Sequence, residues 1–390
     1  MSSSTAPAGN RAPACGVPVA PARLVVVDLA RALAILMMLQ GHTLHAVLSN
    51  DMLTGVWFRV WLFMRGQTSC LFFLLSGFAF TLATFRHWTE HLRSWTAIAR
   101  RLRRFGFFLL LGYALHSPGK LADLYWLNEE GWRSLLAVDV LQCLAVILIV
   151  LQVLVLLVRT PGRHALAAGA GCAAIVGLTP VIWRANETGS LPIGAAAFLS
   201  PATGSLFPLF PWGAYVLFGA VLGHLYRRHG PVRIVMFANR VLLPGGGAMI
   251  ALAVVGTWLP LEPFGQTDFW STSPNHFLLR AGIVLLILGL LAHVSGRGGE
   301  PGFIVRVLAR ESLMIYAVHL CLVYGSPWNV GLYQLVGPTL PVVPALGCVL
   351  ALWVVTALLA CGWHWCKHSR PRAAPWVRVG IAGLLFGRLL

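Results

Sequence analysis

Apolar runs of about 20 residues recur along the whole chain, and they restrict its fold more than any other feature. A helix of that length crosses the hydrocarbon core of a bilayer. Only 11% of the residues are charged and 58% are hydrophobic, whereas soluble domains carry about 25% charged residues. The short alternating segments of a membrane β-barrel are absent. The sequence therefore predicts an all-α polytopic membrane protein.

The hydropathy pattern predicts about ten transmembrane helices. The third predicted span is short for a full crossing, so we expect it to be tilted, broken or extended by flanking residues. The predicted spans cover residues 24–47, 56–85, 104–117, 134–158, 165–183, 207–226, 241–261, 276–295, 303–325 and 341–365.

Lysine and arginine are distributed very unequally between the two sides of these spans. Of the 29 basic residues, 22 fall on the side of both termini, 3 fall on the other side and 4 lie within spans. The positive-inside rule therefore predicts that both termini are cytoplasmic. The same rule explains the net charge of +17, so we expect no nucleic-acid partner. Compact length and a preference for arginine over lysine favour a bacterial inner (plasma) membrane.

The chain divides into three predicted regions. Residues 1–23 are rich in Pro, Ala and Ser, which predicts a disordered cytoplasmic N-terminus and no cleavable signal peptide. Residues 24–365 form the transmembrane domain. Residues 366–390 form a basic cytoplasmic tail, in which WVRVGIAGLLFGRLL has the length and composition of an interfacial helix.

One short segment, CGWHWCKH, has spacing that is compatible with metal ligands. It contains Cys361, His364, Cys366 and His368, but the sequence has no second cluster to complete a site. We therefore predict no metal. Most cysteines lie in apolar segments, so we also predict no disulfide framework.

Ionisable side chains inside the predicted spans point to chemistry within the membrane. A charge at the bilayer centre costs roughly 2.5–3.5 kcal/mol on insertion scales. Arg31 is predicted in the inner half of the first span. Six groups share one depth in the outer half, which predicts one polar vestibule that opens outward, formed by His42, His45, Arg65, Asp139, Arg280 and His319.

Purely structural explanations remain open for several of these groups. An intramembrane His or Tyr often bonds two helices together, and an Arg near a helix end extends to the interface. Asp139 has the position of a helix N-terminal residue, and Asp28 and Arg31 have the spacing of a helical pair. Hydrogen bonding between helices would explain His45, Tyr316 and His319, and extension to the interface would explain Arg65.

Four arginines lie within five residues at the start of the third span. Anchoring by the positive-inside rule explains part of this cluster. Guanidinium groups also bind phosphate oxygens in pairs, so the cluster suits a nucleotide-bearing donor such as an acyl-CoA. The residues are Arg100, Arg101, Arg103 and Arg104.

At these residues the chain resembles the transmembrane acyltransferase superfamily. VDLARALAILMMLQGH resembles its first helix, with an Arg and a His separated by ten residues, and CLFFLLSGFAF resembles its second. The pairs Arg100–x–x–Arg103 and Arg101–x–x–Arg104 both resemble the arginine pair that opens its third helix. DVLQCLAVILI, FPLFPWGAYVLFGAVLGHLY and ARESLMIYAVHL resemble bacterial relatives of heparan-α-glucosaminide N-acetyltransferase, whose sister branch is the acyltransferase-3 family.

The resemblance implies acyl transfer from acyl-CoA, expected to be acetyl-CoA, to a glycan or lipid-linked glycan on the outer face. The arginine cluster would hold the CoA phosphates. His42 would act as general base or transient acyl carrier, with His45 as its rival and with Arg31 and Asp139 beside it in the catalytic set. Substrate contacts would come from Arg65, Arg280, Tyr316 and His319.

The sequence leaves several alternatives open. The resemblance is compatible with O- and N-acylation, with a direct or an acyl-enzyme mechanism, and with a homo-oligomer. Intramembrane Arg, His and Asp residues also mark the pathways of proton-coupled transporters and flippases. A membrane scaffold without chemistry is the third possibility.

Overall fold

A computed structural model describes residues 24–117, 121–187, 189–229, 234–259, 267–326, 328–372 and 376 of the chain. The predicted disordered segment 1–23 and residues 377–390 of the predicted interfacial helix lie outside them. Within the described ranges the regular structure is helical, apart from two isolated β-bridges. This confirms the predicted all-α polytopic fold class.

The helices follow one another along the chain with short connections. Short 3₁₀ helices span Asn50–Met52, Leu121–Trp126 and Pro201–Thr203, and a π-helical turn spans Ala238–Leu242. The α-helices are α1 (Val25–Val47), α2 (Gly55–Arg86), α3 (Trp88–Arg93), α4 (Trp95–Leu115), α5 (Glu129–Leu136), α6 (Val140–Val158), α7 (Pro161–Asn186), α8 (Ile193–Leu199), α9 (Leu209–Arg228), α10 (Ile234–Phe237), α11 (Leu243–Trp258), α12 (Pro274–Gly296), α13 (Phe303–Arg310), α14 (Ser312–Tyr324), α15 (Leu332–Leu335) and α16 (Val342–Ser369).

Eight helical segments in the described part of the chain are long and apolar enough to cross a membrane, and the bent pair α13–α14 raises the number to nine. The helix α4 has 21 residues, which is also long enough, but its four arginines make it more charged than the others. The structure therefore supports up to nine of the ten predicted spans, and α4 occupies the position of the remaining one, the third.

Two predicted spans differ in shape from the expectation. The third span is extended at its amino end, because α4 begins at Trp95 and the Ser94 hydroxyl accepts a hydrogen bond from the Ala97 amide at 3.4 Å. The ninth span is not one straight helix. It breaks at Glu311, whose backbone leaves the helical region, and α13 and α14 meet at 79°.

The buried apolar side chains form two clusters, and α1 lies between them. The large bundle is the cluster built mainly by α2, α6, α7, α9 and α12. The small bundle is the cluster built by α13, α14 and α16 together with α1. Different faces of α1 pack against each: Ala30 and Ala34 belong to the large bundle, and Ala32 and Ile35 to the small one.

Glycine lets α2 and α9 approach backbone to backbone. A Cβ atom at Gly77 would lie 1.8 Å from the carbonyl oxygen of Val216, and one at Gly219 would lie 2.0 Å from that of Leu74. Small residues allow such close packing between helices in membranes. Gly77 belongs to the Ser76–Gly77–Phe78 segment of the sequence, so the fold gives this segment a packing role.

Antiparallel helices place alternate helix ends on two faces. The basic face carries the amino end of α1, the carboxyl end of α2 and the start of α4; the histidine face carries the carboxyl ends of α1 and α14. Backbone hydrogen bonds join segments on the histidine face, as between Leu340 and Val47 at 2.8 Å. The positive-inside rule assigns the basic face to the cytoplasm, and this assignment stays a prediction.

Candidate active site

A cavity of about 550 Å³ lies between the two bundles on the histidine face. Its walls come mainly from α1, α2, α6 and α14, with further residues from the end of α4 and the segment before α9, so it forms where the large and small bundles meet. Polar groups among apolar walls are typical of small-molecule sites. The polar side chains that line it belong to His42, His45, Arg65, Thr68, Ser69, His116, Asp139, Ser312, Tyr316, Tyr324 and Ser326.

Two imidazoles on α1 meet one phenol on α14 in this cavity. The Nδ1 atom of His42 lies 3.0 Å from the Tyr324 hydroxyl, and the Nδ1 atom of His45 lies 3.2 Å from the same hydroxyl. His42 and His45 are three residues apart in a helix, so their side chains lie on one face. Tyr324 therefore joins both histidines to the end of α14.

The single proton of the Tyr324 hydroxyl makes the two imidazoles unequal. A phenol donates one hydrogen bond, so it donates to one Nδ1 atom and accepts from the other. The imidazole that donates through Nδ1–H keeps a free lone pair on Nε2 and can accept a proton there. The other imidazole carries its hydrogen on Nε2. When both imidazoles are neutral, the shared hydroxyl therefore makes them inequivalent, and the one that donates through Nδ1–H is suited to act as a base.

Asp139 combines both of the roles considered for it. Its carboxylate accepts a hydrogen bond from the Val140 amide at 2.7 Å and closes a capping box with Gln142 at the start of α6. It also lines the cavity, where Tyr316 donates to it across 3.2 Å. Asp139 makes the hydrogen bonds of a helix N-cap, and these bonds hold its carboxylate at the cavity wall.

His319 lies behind His42 rather than on the cavity wall. It is fully buried, its Nδ1 atom is 3.0 Å from the Ile315 carbonyl oxygen, and its ring centroid is 5.2 Å from that of His42. Its Nε2 atom has no hydrogen-bond partner among the described residues. His319 therefore supports the His42 ring from the small bundle.

Three of the four arginines within the predicted spans were predicted as site residues, and they occupy three different places. Arg65 lines the cavity, with its guanidinium 5.7 Å from the ring of Trp61. Arg31 lies three residues before Ala34, the first residue of α1 that lines the cavity, and so stands outside it. Arg280 lines a second, smaller cavity. The predicted single vestibule is thus divided in two, because the chain around Leu206 and Phe207 packs between them.

The arginine cluster at the start of α4 is also divided. Arg101 turns inward, where its guanidinium donates to the Thr84 hydroxyl at 2.8 Å and to the Gln152 amide oxygen at 3.1 Å. Burial, followed by the positive charge of Arg101, lowers the pKa of nearby His91. The side chains that remain exposed on the basic face are Arg100, Arg103 and Arg104.

Sequence reasoning missed several cavity residues, among them Tyr324 and His116. Tyr324 lies five residues after His319, and only the position of α14 beside α1 brings its hydroxyl to the histidines. His116 follows α4 directly, and its Nδ1 atom lies 2.9 Å from the Gly112 carbonyl oxygen. The available signal was a polar side chain at the end of a span on the same face as His42.

The cysteine- and histidine-rich segment near the end of α16 takes part in an ion pair instead. Lys367 lies 2.6 Å from a carboxylate oxygen of Glu311, and the His364 Nδ1 atom lies 3.2 Å from the same carboxylate. Among the residues the structure describes, no group of three or more His, Cys, Asp or Glu side chains is arranged for a metal ion. The segment fixes α16 to the break between α13 and α14.

A family profile described as an acyltransferase domain, that of acyltransferase-3, matches residues 24–361. The chain belongs to the acyltransferase-3 family. It is therefore a membrane acyltransferase in general terms, and the match covers every helix that lines the cavity. The predicted branch around heparan-α-glucosaminide N-acetyltransferase is not confirmed by this match. No curated protein matches the chain.

The cavity of this acyltransferase holds the kinds of group that acyl transfer uses. Acyl transfer needs a base near the attacking atom and a positive or hydrogen-bonding group near the oxygen that gains charge. His42 and His45 supply imidazoles, and Arg65 supplies a guanidinium on the facing helix. All three lie on the walls of one cavity.

Proposed function

We propose that this acyltransferase moves an acyl group, expected to be acetyl, from acyl-CoA at a cytoplasmic basic face to a glycan or lipid-linked glycan at the histidine face. The observation that carries the proposal is the hydrogen-bonded set of His42, Tyr324 and His45 on the wall of the cavity. In this proposal the protein lies in a bacterial inner membrane with both termini in the cytoplasm.

The donor's phosphates would bind the exposed arginines of α4. Arg100, Arg103 and Arg104 are exposed on the basic face, where guanidinium groups can bind phosphate oxygens in pairs. Arg101 differs because its hydrogen bonds to α2 and α6 engage it within the protein. We therefore assign donor binding to three of the four predicted arginines.

The acyl group would react beside His42, in the carboxyl-terminal part of α1. The α1 residues that line the cavity begin at Ala34 and end at His45, a rise of about 16 Å at 1.5 Å per residue. The cavity therefore extends inward from the histidine face, toward a donor held at the basic face. This depth supports transfer between the two sides of one membrane.

His42 would act as the general base toward the acceptor. Its Nε2 atom takes the proton of the acceptor hydroxyl or amine, whose oxygen or nitrogen then bonds to the thioester carbonyl carbon. The carbon–sulfur bond breaks, and the departing CoA thiolate takes the proton from the imidazolium. Arg65 would stabilise the oxyanion that forms in between. An acyl-imidazole at His42 is the two-step variant of the same reaction.

The remaining predicted residues would orient these groups. Tyr324 would hold the His42 ring through its Nδ1 atom, Asp139 and Tyr316 would shape the wall beside α6, and His319 packs against the His42 ring. Arg31 lies outside the cavity, so we assign it no contact with the reacting atoms. His45 is the alternative base, because it shares the Tyr324 hydroxyl.

The test is acetyl-CoA turnover by the purified protein in detergent or liposomes. His42→Ala and His45→Ala would be compared with His87→Ala, since the side chain of His87 is 65% exposed and lies outside the cavity. We expect His42→Ala to lose turnover by at least about 100-fold, the lower end of general acid–base contributions, while His87→Ala keeps it.

Each other outcome changes the proposal. Loss of turnover in His45→Ala alone would assign the base to His45, one helical turn closer to the histidine face. Unchanged turnover in both variants removes the imidazoles from the reaction. If the wild type neither binds nor turns over acetyl-CoA, the proposed donor is wrong, and a proton-coupled transport assay in liposomes becomes the next measurement, since a His–Tyr–His set also suits proton transfer.

A further inference from the structure

A second cavity opens beside the first on the histidine face. It has a volume of about 230 Å³ and lies between α7, α9, α12 and the segment that precedes α12. Leu206 lines both cavities. The rings of Phe207 and Trp212, whose centroids are 4.7 Å apart, form part of the wall between them. A ligand in one cavity would therefore lie close to a ligand in the other.

Arg280 brings a positive charge to this cavity. Its guanidinium lies 5.9 Å from the ring of Phe63 and 6.0 Å from that of Trp212, and Cys70 is its hydrogen-bonding neighbour. Within the described ranges it forms no ion pair, and its Nε atom has no hydrogen-bond partner. A half-buried cation without a carboxylate partner is costly in a membrane domain, and an anion would offset that cost.

The walls around Arg280 are mainly aromatic. Trp183, Trp212 and Trp270 line the cavity, and Trp270 is 63% exposed. The ring of His276 lies 5.8 Å from that of Trp270, and its buried Nε2 atom has no partner among the described side chains and backbone. Aromatic walls with a few polar groups fit the apolar face of a sugar ring.

The segment before α12 holds Trp270 in place through Asp268. Ser271 donates to the Asp268 carboxylate at 2.6 Å, and the Thr272 hydroxyl accepts from the Asp268 amide at 3.0 Å. These bonds engage the acidic group of the segment within its own turn. Among the described residues that line the cavity, Arg280 is thus the permanently charged one.

We propose that the second cavity binds an anionic saccharide unit of the acceptor, with its carboxylate or phosphate on Arg280 and its ring against Trp212 and Trp270. This inference rests on the proposed function, because it makes that unit part of the molecule that is acylated in the first cavity. The unit bound by Arg280 would place a neighbouring sugar hydroxyl or amine at His42.

The test is binding of three small probes to the full-length protein in detergent, measured by calorimetry and by the thermal unfolding midpoint. The probes are glucuronate, glucose 1-phosphate and glucose. We expect at least one anionic probe to bind the wild type, and glucose to bind at least about tenfold more weakly, since a hydrogen bond to a charged group is worth that factor or more.

Arg280→Gln is the deciding variant, and Arg59→Gln is its control because Arg59 is an exposed arginine of α2. We expect Arg280→Gln to weaken binding of the anionic probe by about 10- to 100-fold, and Arg59→Gln to leave the affinity unchanged. Arg280→Lys keeps the charge but loses the paired geometry, so its loss should be intermediate. Trp270→Ala removes an exposed ring with little effect on folding, and it should also weaken binding of the anionic probe.

The outcomes are separate from those of the acetyl-CoA test. Binding of glucuronate alone identifies a carboxylate, and binding of glucose 1-phosphate alone identifies a phosphate. The inference is overturned if the wild type binds glucose as tightly as an anionic probe, if it binds neither anionic probe, or if Arg280→Gln binds the anionic probe as tightly as the wild type. If Arg280→Gln does not fold, wild-type affinity for the anionic probe in both Arg280→Lys and Trp270→Ala overturns it. Acetyl-CoA turnover that depends on His42 would stand even if no anion binds.

Discussion

The two bundles hold their helices together by different means. In the large bundle, α2 and α9 touch backbone to backbone at Gly77 and Gly219, with no room for a side chain. In the small bundle, the path of the chain breaks at Glu311, and the break is held to α16 by Lys367 and His364. The cavity lies where these two kinds of packing meet, with the His42 helix between them.

This contrast indicates which wall of the cavity can change shape. A glycine packed against the main chain of the facing helix offers no alternative arrangement, because every larger residue collides with main-chain atoms. A broken helix held by charged groups has alternative arrangements when those groups lose their partners. The wall that carries Tyr324 therefore depends on a few polar contacts, and the wall that carries Arg65 on close packing.

Gly77→Ala should have the largest effect. The added Cβ atom would meet the Val216 carbonyl oxygen at 1.8 Å, so α2 and α9 must separate. We expect destabilisation at or above about 3 kcal/mol, the upper end for overpacking, because backbone cannot move aside as a side chain does. The thermal unfolding midpoint and the monodisperse fraction in detergent measure it.

Gly362→Ala is the matched control, because a Cβ at Gly362 in α16 has nothing within 4 Å. It should leave stability unchanged or raise it slightly, since alanine favours a helix more than glycine does. Equal behaviour of the two variants would show that the contact between α2 and α9 is not as close as described.

Glu311→Gln tests the small bundle and should rank second. Glu311 is 4% exposed and the side chain of Lys367 is 26% exposed, so the variant leaves a partly buried ammonium without its partner. We expect a loss of about 1–3 kcal/mol, below the range of about 3–5 kcal/mol for a fully buried pair. Thermal unfolding measures the loss, and proteolysis near the break between α13 and α14 should increase.

The surface pair of Glu300 and Arg306 provides the comparison, since the side chain of Glu300 is 82% exposed. Glu300→Gln should change stability by no more than about 1 kcal/mol. A loss as large as that of Glu311→Gln would mean that burial does not set the strength of the Glu311 contact.

Arg101→Gln tests the hydrogen bonds that connect α4 to the large bundle. Its guanidinium donates to Thr84 and Gln152, and loss of hydrogen bonds from a charged group costs roughly 1.5–3 kcal/mol, less where water reaches the site. We therefore expect Arg101→Gln to lower the free energy of unfolding by about 1–2 kcal/mol, measured by thermal unfolding.

Arg103→Gln separates anchoring from donor binding. Arg103 is exposed, so its removal should leave the unfolding midpoint unchanged and raise the KM for acetyl-CoA. If Arg103→Gln unfolds as easily as Arg101→Gln, the division of the cluster into an inward and an outward part is wrong.

Tyr324→Phe should have the smallest effect on stability and a clear effect on turnover. The variant keeps the ring and removes the hydroxyl that His42 and His45 share. We expect kcat for acetyl-CoA turnover to fall about tenfold, equivalent to about 1.4 kcal/mol, with little change in KM. Tyr333→Phe, in the exposed helix α15, should behave as wild type.

Specific residues show what could be predicted from the sequence and what could not. The Arg31–x₁₀–His42 spacing, the Ser76–Gly77–Phe78 segment and the arginines before Phe105 are local patterns. They indicated the acyltransferase superfamily and located α1, α2 and α4, but they did not give the correct branch. Tyr324 and the second cavity around Arg280 could not be found this way. Depth in the membrane follows from position along a span, whereas the direction of a side chain depends on which helices are neighbours.

By itself the sequence determined the all-α membrane class, the positions of most spans and the acyltransferase superfamily, though not the branch within it, because apolar length and local spacing are properties of single segments. The tertiary structure alone decided that Arg65 and Arg280 line different cavities, that Arg101 turns inward and that Glu311 breaks a span. Each of these depends on contacts between segments far apart in the chain, such as α2 with α9 and α13 with α16. One helix cannot specify which partner it packs against.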